Sequence, residues 1–341
     1  MKLGIFTIYN DEYKYYISAC EELGIDYEVV DILSADWIDN VRQSDCDAFL
    51  CTSTCGIQIR KTILDERLYF ISEEMGKFIY PSFQEIYIHE NKRNMAAWLE
   101  INGFPHSKTN VFTSYKEAKS YLSECDYPIV VKSSFGAGAS KVKIVKTKSH
   151  AMRLARSFFP MTKFTFLKSG HLYWLKLKGI PVPDFANRQA FYMLVQEYLP
   201  IKWEWRIIKI GDSFFGHQKL LKGQFASGSG KVGWVRPPVH LFDMVDDLTK
   251  KGGFYSMAMD VFETTDGKFY INEIQSMFGS YLDSQMFIDE KPGRFIKVGG
   301  EYVFEEGYFN THCSRLLRVK HLVDLLQNNK LTLKERVADL R

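Results

Sequence analysis

The chain has 341 residues, 46% of them apolar and 25% charged, with a formal net charge of +3. That length supports a sizeable core spread over two or three lobes, and the near-neutral balance excludes a protein dominated by nucleic-acid or membrane-surface binding. Aromatic residues reach 15%, which suits a packed core before it suits a stacking ligand.

Six cysteines, at 20, 46, 51, 55, 125 and 313, are scattered without a second pair or a histidine cluster at zinc spacing, so reduced thiols are expected. No apolar run is long enough for a signal peptide or a membrane span, and cytoplasmic residence is expected. Residues 3–8, 27–32 and 48–51 read as strands and 12–23 as a helix, the start of an open α/β lobe. Thr52-Ser53-Thr54-Cys55-Gly56 lies at the end of the third strand. It reads either as an anion-binding loop or as a polar turn capping the next helix.

Residues 60–77 have helical spacing, Tyr80-Pro81-Ser82 reads as a strand exit, and 90–102 form a second helix ended by Gly103. Lys92 lies in its first turn, where position alone reads as a surface lysine. Residues 127–145 read as strand, glycine-rich loop and strand. Gly136 and Gly138 let the backbone approach a polyphosphate while Lys132 supplies a positive charge; a flexible hairpin is the other reading. The segment 151–194 stays unassigned.

Residues 195–199 read as a strand, and Gly211-Asp212 as a two-residue turn. That turn sets Glu204 opposite Lys219 and Arg206 opposite His217 on one sheet face, either a solvated ladder or a ribose-phosphate site. Gly223 to Gly230 form a glycine–serine stretch, lid or linker. Asp266-Gly267 reads as a second two-residue turn, which sets Asp260 opposite Glu273, with Gln275 two residues further on the same face. Two carboxylates about 4.5–5.5 Å apart at their Cβ atoms repel unless something positive lies between them, and magnesium fits. The other reading is an edge hairpin with two solvated acids. Beyond 279 come two strand-like runs and a helix over 314–327, with Arg294, Arg315 and Arg318 either meeting an anionic substrate or solvated or paired.

Taken together, these blocks resemble the ATP-grasp superfamily of carboxylate–amine ligases over roughly 92–279, with a pattern similar to ribosomal-protein glutamate ligase, glutathione synthetase and D-alanine:D-alanine ligase. The fold class implied is α/β: an N-terminal open parallel lobe (1–90), then a small ATP-grasp subdomain with a glycine-rich phosphate loop (91–195). A large subdomain with the magnesium hairpin and a C-terminal helix follows (196–341), and both ATP-grasp subdomains carry antiparallel sheets. The resemblance implies ATP and Mg²⁺ as cofactors. It makes Lys92 and Lys132 phosphate-binding lysines and Ser134, Gly136, Gly138 and Ser140 parts of the phosphate loop. Gln196, Glu197, Tyr198 and Leu199 become the interlobe hinge, with Glu197 on the adenine amino group and Glu204 on the ribose. Lys219 matches a basic family position, the loop 223–227 with Ser227 shields the reacting centre, and Asp260, Glu273 and Gln275 match the magnesium triad. Gln275 departs from the family's asparagine but keeps an amide oxygen as ligand.

The implied reaction is amide or peptide bond formation through an acyl phosphate, ATP going to ADP and phosphate, with Arg206 on the acyl-phosphate oxygens. Small-molecule carboxylate and amine substrates and a homodimer are implied as partners. The block Asn272 to Gly279 resembles a branch associated with surface-polysaccharide genes. A kinase on the same scaffold, or a nucleotide-binding protein with decayed chemistry, are the alternative functions.

Overall fold

The computed structural model describes residues 1–53, 57–134, 142–159, 192–278 and 281–328. Its first sheet is parallel, with strand order β2-β1-β3-β4 built from β1 (Lys2–Thr7), β2 (Asp26–Asp31), β3 (Ala48–Leu50) and β4 (Ile79–Tyr80). Both faces are covered. Phe6, Phe49, Leu64 and Leu68 pack on one side, and Leu3, Ile5, Tyr16 and Leu50 on the other. Continuous apolar strands of this kind are what a sheet buried on both faces requires.

The second face is completed from far along the chain. Val319 and Leu322 of the helix Arg315–Gln327 join that cluster, so the C-terminal helix packs on the N-terminal sheet. Sequence order alone assigns that helix to the last region.

A second, antiparallel sheet has the order β5-β8-β6-β7, from β5 (Thr109–Phe112), β6 (Ile129–Lys132), β7 (Val142–Val145) and β8 (Met193–Glu197). The helices Tyr115–Glu124 and Lys148–Phe158 bury its outer face through Ala118, Leu122, Ala151 and Ala155. Neither helix is anticipated above.

The third sheet is the largest and carries the main core. Its strands are β9 (Ile201–Ile210), β10 (Ser213–Lys219), β11 (Val232–Gly233), β12 (Ser256–Thr264), β13 (Phe269–Gln275), β14 (Phe287–Ile288), β15 (Lys291–Val298) and β16 (Glu301–Glu306). The central order is β13-β12-β9-β10-β15-β14. The turn Gly211-Asp212 forms as expected, with Ser213 paired to Ile210. Gly211 is required there: φ is 54°, and a Cβ would lie 2.9 Å from the His321 ring.

The Asp266 hairpin differs from expectation in an instructive way. Thr264 N–H donates to the Lys268 carbonyl and Gly267 sits at φ 80°, so the loop has three residues rather than two. That displaces the near register by one, pairing Val261 with Ile271. A bulge between Asp260 and Val261 leaves Asn272 as the extra residue and restores the pairing of Asp260 with Glu273.

Other boundaries shift by small amounts. The helix expected over 60–77 runs as Gln58–Tyr69 and continues as one wider turn, Phe70–Glu74. The helix expected over 90–102 is Lys92–Ile101, capped by Asn91, whose side chain accepts from Asn94 N–H. Between them lies an unexpected short helix, Phe83–Ile88, closed by a capping box of Ser82 and Glu85. No helix among the described residues is long and apolar enough to cross a membrane.

Candidate active site

The second and third sheets face each other across a cleft of about 270 Å³. Val130, Val142 and Ile144 line one wall, Ile201 and Phe262 the other, and the loop through Phe225 and Ser227 closes the mouth. The chain crosses between the sheets from Glu197 to Ile201, and Gln196, Glu197, Tyr198 and Leu199, the segment expected as the hinge, all line the cleft. Two of these side chains also bond to β5 and its approach. Gln196 Nε2 donates to Thr109 Oγ1 at 3.1 Å, and Glu197 accepts from the Lys108 N–H at 2.7 Å, which turns that carboxylate toward β5.

Both expected phosphate lysines reach this cleft. Lys92 is buried, which removes the surface-lysine reading, and its Nζ lies 3.0 Å from Glu273. Lys132, at the end of β6, donates to Asn272 Oδ1 at 2.8 Å. Burial, reinforced by Lys92, pushes the Lys132 ammonium down to about 8, with Glu273 and Glu204 opposing. Ser134 lies beside them: its carbonyl accepts from Lys92 N–H and its hydroxyl meets Asn91. Gly136, Gly138 and Ser140 lie outside the described residues.

The floor of the cleft continues into the third sheet as a row of opposed side chains. Glu273 on β13 pairs with Asp260 on β12, Asp260 with Arg206 on β9, and Arg206 with His217 on β10. Arg206 grips Asp260 in a two-pronged ion pair, Nε and Nη2 each at 2.9 Å. Lys219 bridges inward, to Asp260 at 2.8 Å and to Glu204, its own cross-strand partner. Ser227 contacts both Lys219 and Glu204 at 3.3 Å, and Asn272 Nδ2 donates to the other Glu204 oxygen at 2.9 Å.

Glu204 and Asp260 are each 1% exposed, so the readings as a solvated ladder and as solvated hairpin acids are both overturned. Burial pushes the Glu204 carboxyl up. At Asp260 burial is outweighed by Arg206 and Lys219, which hold the carboxyl well below its ordinary range. Lys219 is likewise kept charged, since Asp260 and Glu204 offset its burial.

Four cations (Lys92, Lys132, Arg206, Lys219) thus face three carboxylates (Glu204, Asp260, Glu273): Arg206, Asp260, Lys219, Glu204, Asn272 and Lys132 are linked in one bonded chain, and the Lys92–Glu273 pair stands beside it, with Glu273 opposite Asp260. A buried excess of positive charge favours a polyanion.

The donor set fits a hard divalent cation. Asp260 Oδ1 accepts only from Arg206 Nε among the described residues, and Glu273 only through Oε1, from Lys92. Each carboxylate therefore retains lone pairs for an oxygen-seeking metal. Gln275 lies opposite Ala258, half-buried, on the same face as Glu273.

Two members escaped the sequence reading. Asn272 reaches the cleft because the bulge turns it inward beside Glu273, and both line the cavity. A bulge cannot be read from alternation, although the Asn-Glu pair at the strand's end was visible. His217 was placed by register without a role. Burial pushes it down to about 4, and its Nδ1 lies 2.8 Å from the Gln285 carbonyl, so it is a neutral spacer beside Arg206.

Comparison with known proteins extends this picture. No family profile matches the chain, and no curated protein does. Solved structures do. A RimK-domain ATP-grasp protein from Sphaerobacter thermophilus is 16% identical, with 80% of this chain and 90% of that one aligned at a TM-score of 0.51. An N5-carboxyaminoimidazole synthetase from Staphylococcus aureus, complexed with ADP, is 14% identical over 87% of this chain and 82% of its own, with a TM-score of 0.56. The biotin carboxylase domain of the Hydrogenobacter thermophilus 2-oxoglutarate carboxylase, crystallised with MgADP, ADP and bicarbonate, is 14% identical over 82% and 64%, at 0.54. The chain has the ATP-grasp fold, with a parallel N-terminal sheet and two antiparallel sheets.

Proposed function

We propose that this chain is an ATP-dependent ligase that joins a carboxylic acid to an amine. The observation that carries the reading is a cluster of four cations and three carboxylates: Lys92, Lys132, Glu204 and Glu273 line the cleft between two antiparallel sheets, and Lys219, Asp260 and Arg206 continue the cluster along the third sheet. ATP binds in that cleft, its base against the apolar walls and the backbone of Tyr198 and Leu199, its ribose toward Glu204. Lys92 and Lys132 take the phosphates from the side of the second sheet. The three regions 1–90, 91–195 and 196–341 are the lobes of this machine.

An oxygen of the acid attacks the γ-phosphorus, ADP leaves, and the amine nitrogen then attacks the acyl carbon and expels phosphate. The chain contributes position and charge rather than covalent chemistry. Lys219 neutralises the transferring group, and Arg206, with one arm of its fork beyond Asp260, takes the acyl-phosphate oxygens. Ser227 and its loop exclude water from the intermediate. Asp260, Glu273 and Gln275 would hold magnesium, which when bound supplies charge neutralisation between the phosphates.

The test is a phosphorus NMR time course with Mg-ATP and pooled acids and amines. ADP and free phosphate appear only when both pools are present. A new phosphoester from one pool alone would make the protein a kinase and end this proposal.

A further inference from the structure

Two features left over from the sequence are linked through the N-terminal sheet, outside the cleft: the Thr52-Ser53 segment and the arginines of the C-terminal helix. Arg315 and Arg318 are 1% and 0% exposed. Arg315 Nη2 pairs with Glu12 at 2.7 Å, and Nη1 donates to the carbonyls of Phe278 and Cys313. Arg318 meets no carboxylate among the described residues. Its Nη2 donates to the Ser276 carbonyl at 2.7 Å, Nη1 lies 3.3 Å from Met277 Sδ, and the guanidinium stacks 4.3 Å over Phe278.

That is anomalous within this molecule. The buried cations Lys61, Lys92 and Arg315 and the part-buried Arg206, Lys209 and Lys219 each have an acidic partner, and Lys132 can shed its proton. Arg318 can do neither, because a guanidinium stays protonated in any protein environment. A buried charge without a counter-ion is strongly unfavourable, so something anionic completes it.

The surroundings supply further vacant partners. The Nε atoms of both arginines, Thr52 Oγ1, Ser53 Oγ, His89 Nδ1 and Ser276 Oγ are all buried without a hydrogen-bond partner among the described residues. The residues that carry them are linked through short chains of bonds. Thr52 and Ser53 follow β3, where Cys51 N–H donates to the Tyr80 carbonyl. Tyr80 in turn bonds His321, one turn along the helix from Arg318. Asn10 reaches the Ser53 carbonyl and caps the turn that carries Glu12. Buried polar atoms normally find partners, so six such atoms, Arg318 Nε among them, on residues linked to a guanidinium without a counter-ion point to a receptor.

We infer that Arg318 and Arg315, with the hydroxyls of Thr52, Ser53 and Ser276, bind an oxyanion, carboxylate or phosphate, carried by the acid substrate away from its reacting carboxylate. This rests on the ligase reading of the cleft. Ser276 follows Gln275, the last residue of β13, so the carbonyl that holds Arg318 lies about 10 Å along the chain from Glu273. The substrate is therefore an acid with a second anionic group. Gln285 holds the two places in register: its carbonyl accepts from the His217 ring beside Arg206, and its amide donates to Asn310, which Ser314 also bonds at the start of the arginine helix.

The test uses the full chain in thermal unfolding, titrated with sodium succinate or inorganic phosphate at ionic strength fixed with chloride. The wild type is expected to gain several degrees of Tm saturably. Arg318→Met is expected to melt in chloride at or above the wild type, because an unpaired charge has been removed, and to bind the anion at least about tenfold more weakly. Glu12→Gln, which frees Arg315 from its internal carboxylate, is expected to bind the anion more tightly. Response to succinate alone identifies a dicarboxylic acid, and to phosphate alone a phosphorylated one. The inference is overturned if Arg318→Met melts lower and responds to anions like the wild type, as an arginine that only caps carbonyls would. It is overturned equally if Lys132→Met, and not Arg318→Met, abolishes the response, since the anion then occupies the cleft. Mg-ADP binding measured alongside separates the two readings: its absence with an intact Arg318-dependent response defeats the ligase proposal and leaves the anion site standing.

Discussion

Lys132 gives the most discriminating test of the cleft, because its environment makes nucleotide binding depend on pH in a calculable way. Burial sets its ammonium at about 8 against an ordinary 10.5. It is therefore about nine-tenths charged at pH 7 and about one-tenth charged at pH 9. A bound phosphate favours the charged form, so binding takes up a proton above pH 8. Affinity for Mg-ADP should fall roughly tenfold from pH 7 to pH 9 and level off at the value of a neutral side chain, since a charge-assisted hydrogen bond contributes about 1.5–3 kcal/mol. Calorimetric titration in two buffers of different ionisation enthalpy measures both the affinity and the proton uptake. Lys132→Met should bind at the alkaline limit at every pH, with no proton uptake. A wild-type profile that is flat from pH 7 to 9, or one that Lys132→Met leaves unchanged, refutes the placement of Lys132 on the phosphates. Without ligand the sign is opposite in effect: between about 8 and 10.5 the unfolded chain binds the extra proton, so Lys132 makes stability rise with pH in that window, and the variant should lack this component.

Asp260→Asn leaves Arg206 and Lys219 buried against a neutral amide, and should cost about 3–5 kcal/mol in denaturant unfolding together with all turnover. Glu273→Ala should abolish turnover, whereas nucleotide binding without magnesium should persist; normal turnover would remove the hairpin from the metal site. Asn272→Ala removes the acceptor of Lys132 and the donor to one Glu204 oxygen, and a loss of about 1–3 kcal/mol per stranded buried atom should appear as a lower unfolding midpoint. Glu85→Ala removes the capping box and the acceptor of Ser256 N–H, and the unfolding midpoint should fall by a similar amount with ADP affinity unchanged.

Several site residues were legible because their geometry is local. The turn at Gly211-Asp212 is two residues long, so Glu204 facing Lys219 and Arg206 facing His217 followed by counting. Asp260 facing Glu273 was reached by the same counting, but there a longer loop and a bulge cancel. Counting detects neither, because each depends on how β12 and β13 fit the strands and helices around them. The Ser82-x-x-Glu85 signal for a helix was present and unread; its Glu85 also receives Ser256 N–H from the third sheet.

Strand alternation, turn residues and the spacing of lysines and acids are properties of short segments. From them the sequence alone determined an open α/β start, the hairpins, and which side chains share a face. Which charges pair is a property of segments brought together from far apart. Lys92 meets Glu273, Lys132 meets Asn272, and Arg315 meets Glu12 across 181, 140 and 303 positions. Only the tertiary structure decided those partners, and with them which cations are neutralised and which, at Arg318, is left without a counter-ion among the described residues. Burial makes that difference matter, because a charge that water would screen at the surface must find its partner inside.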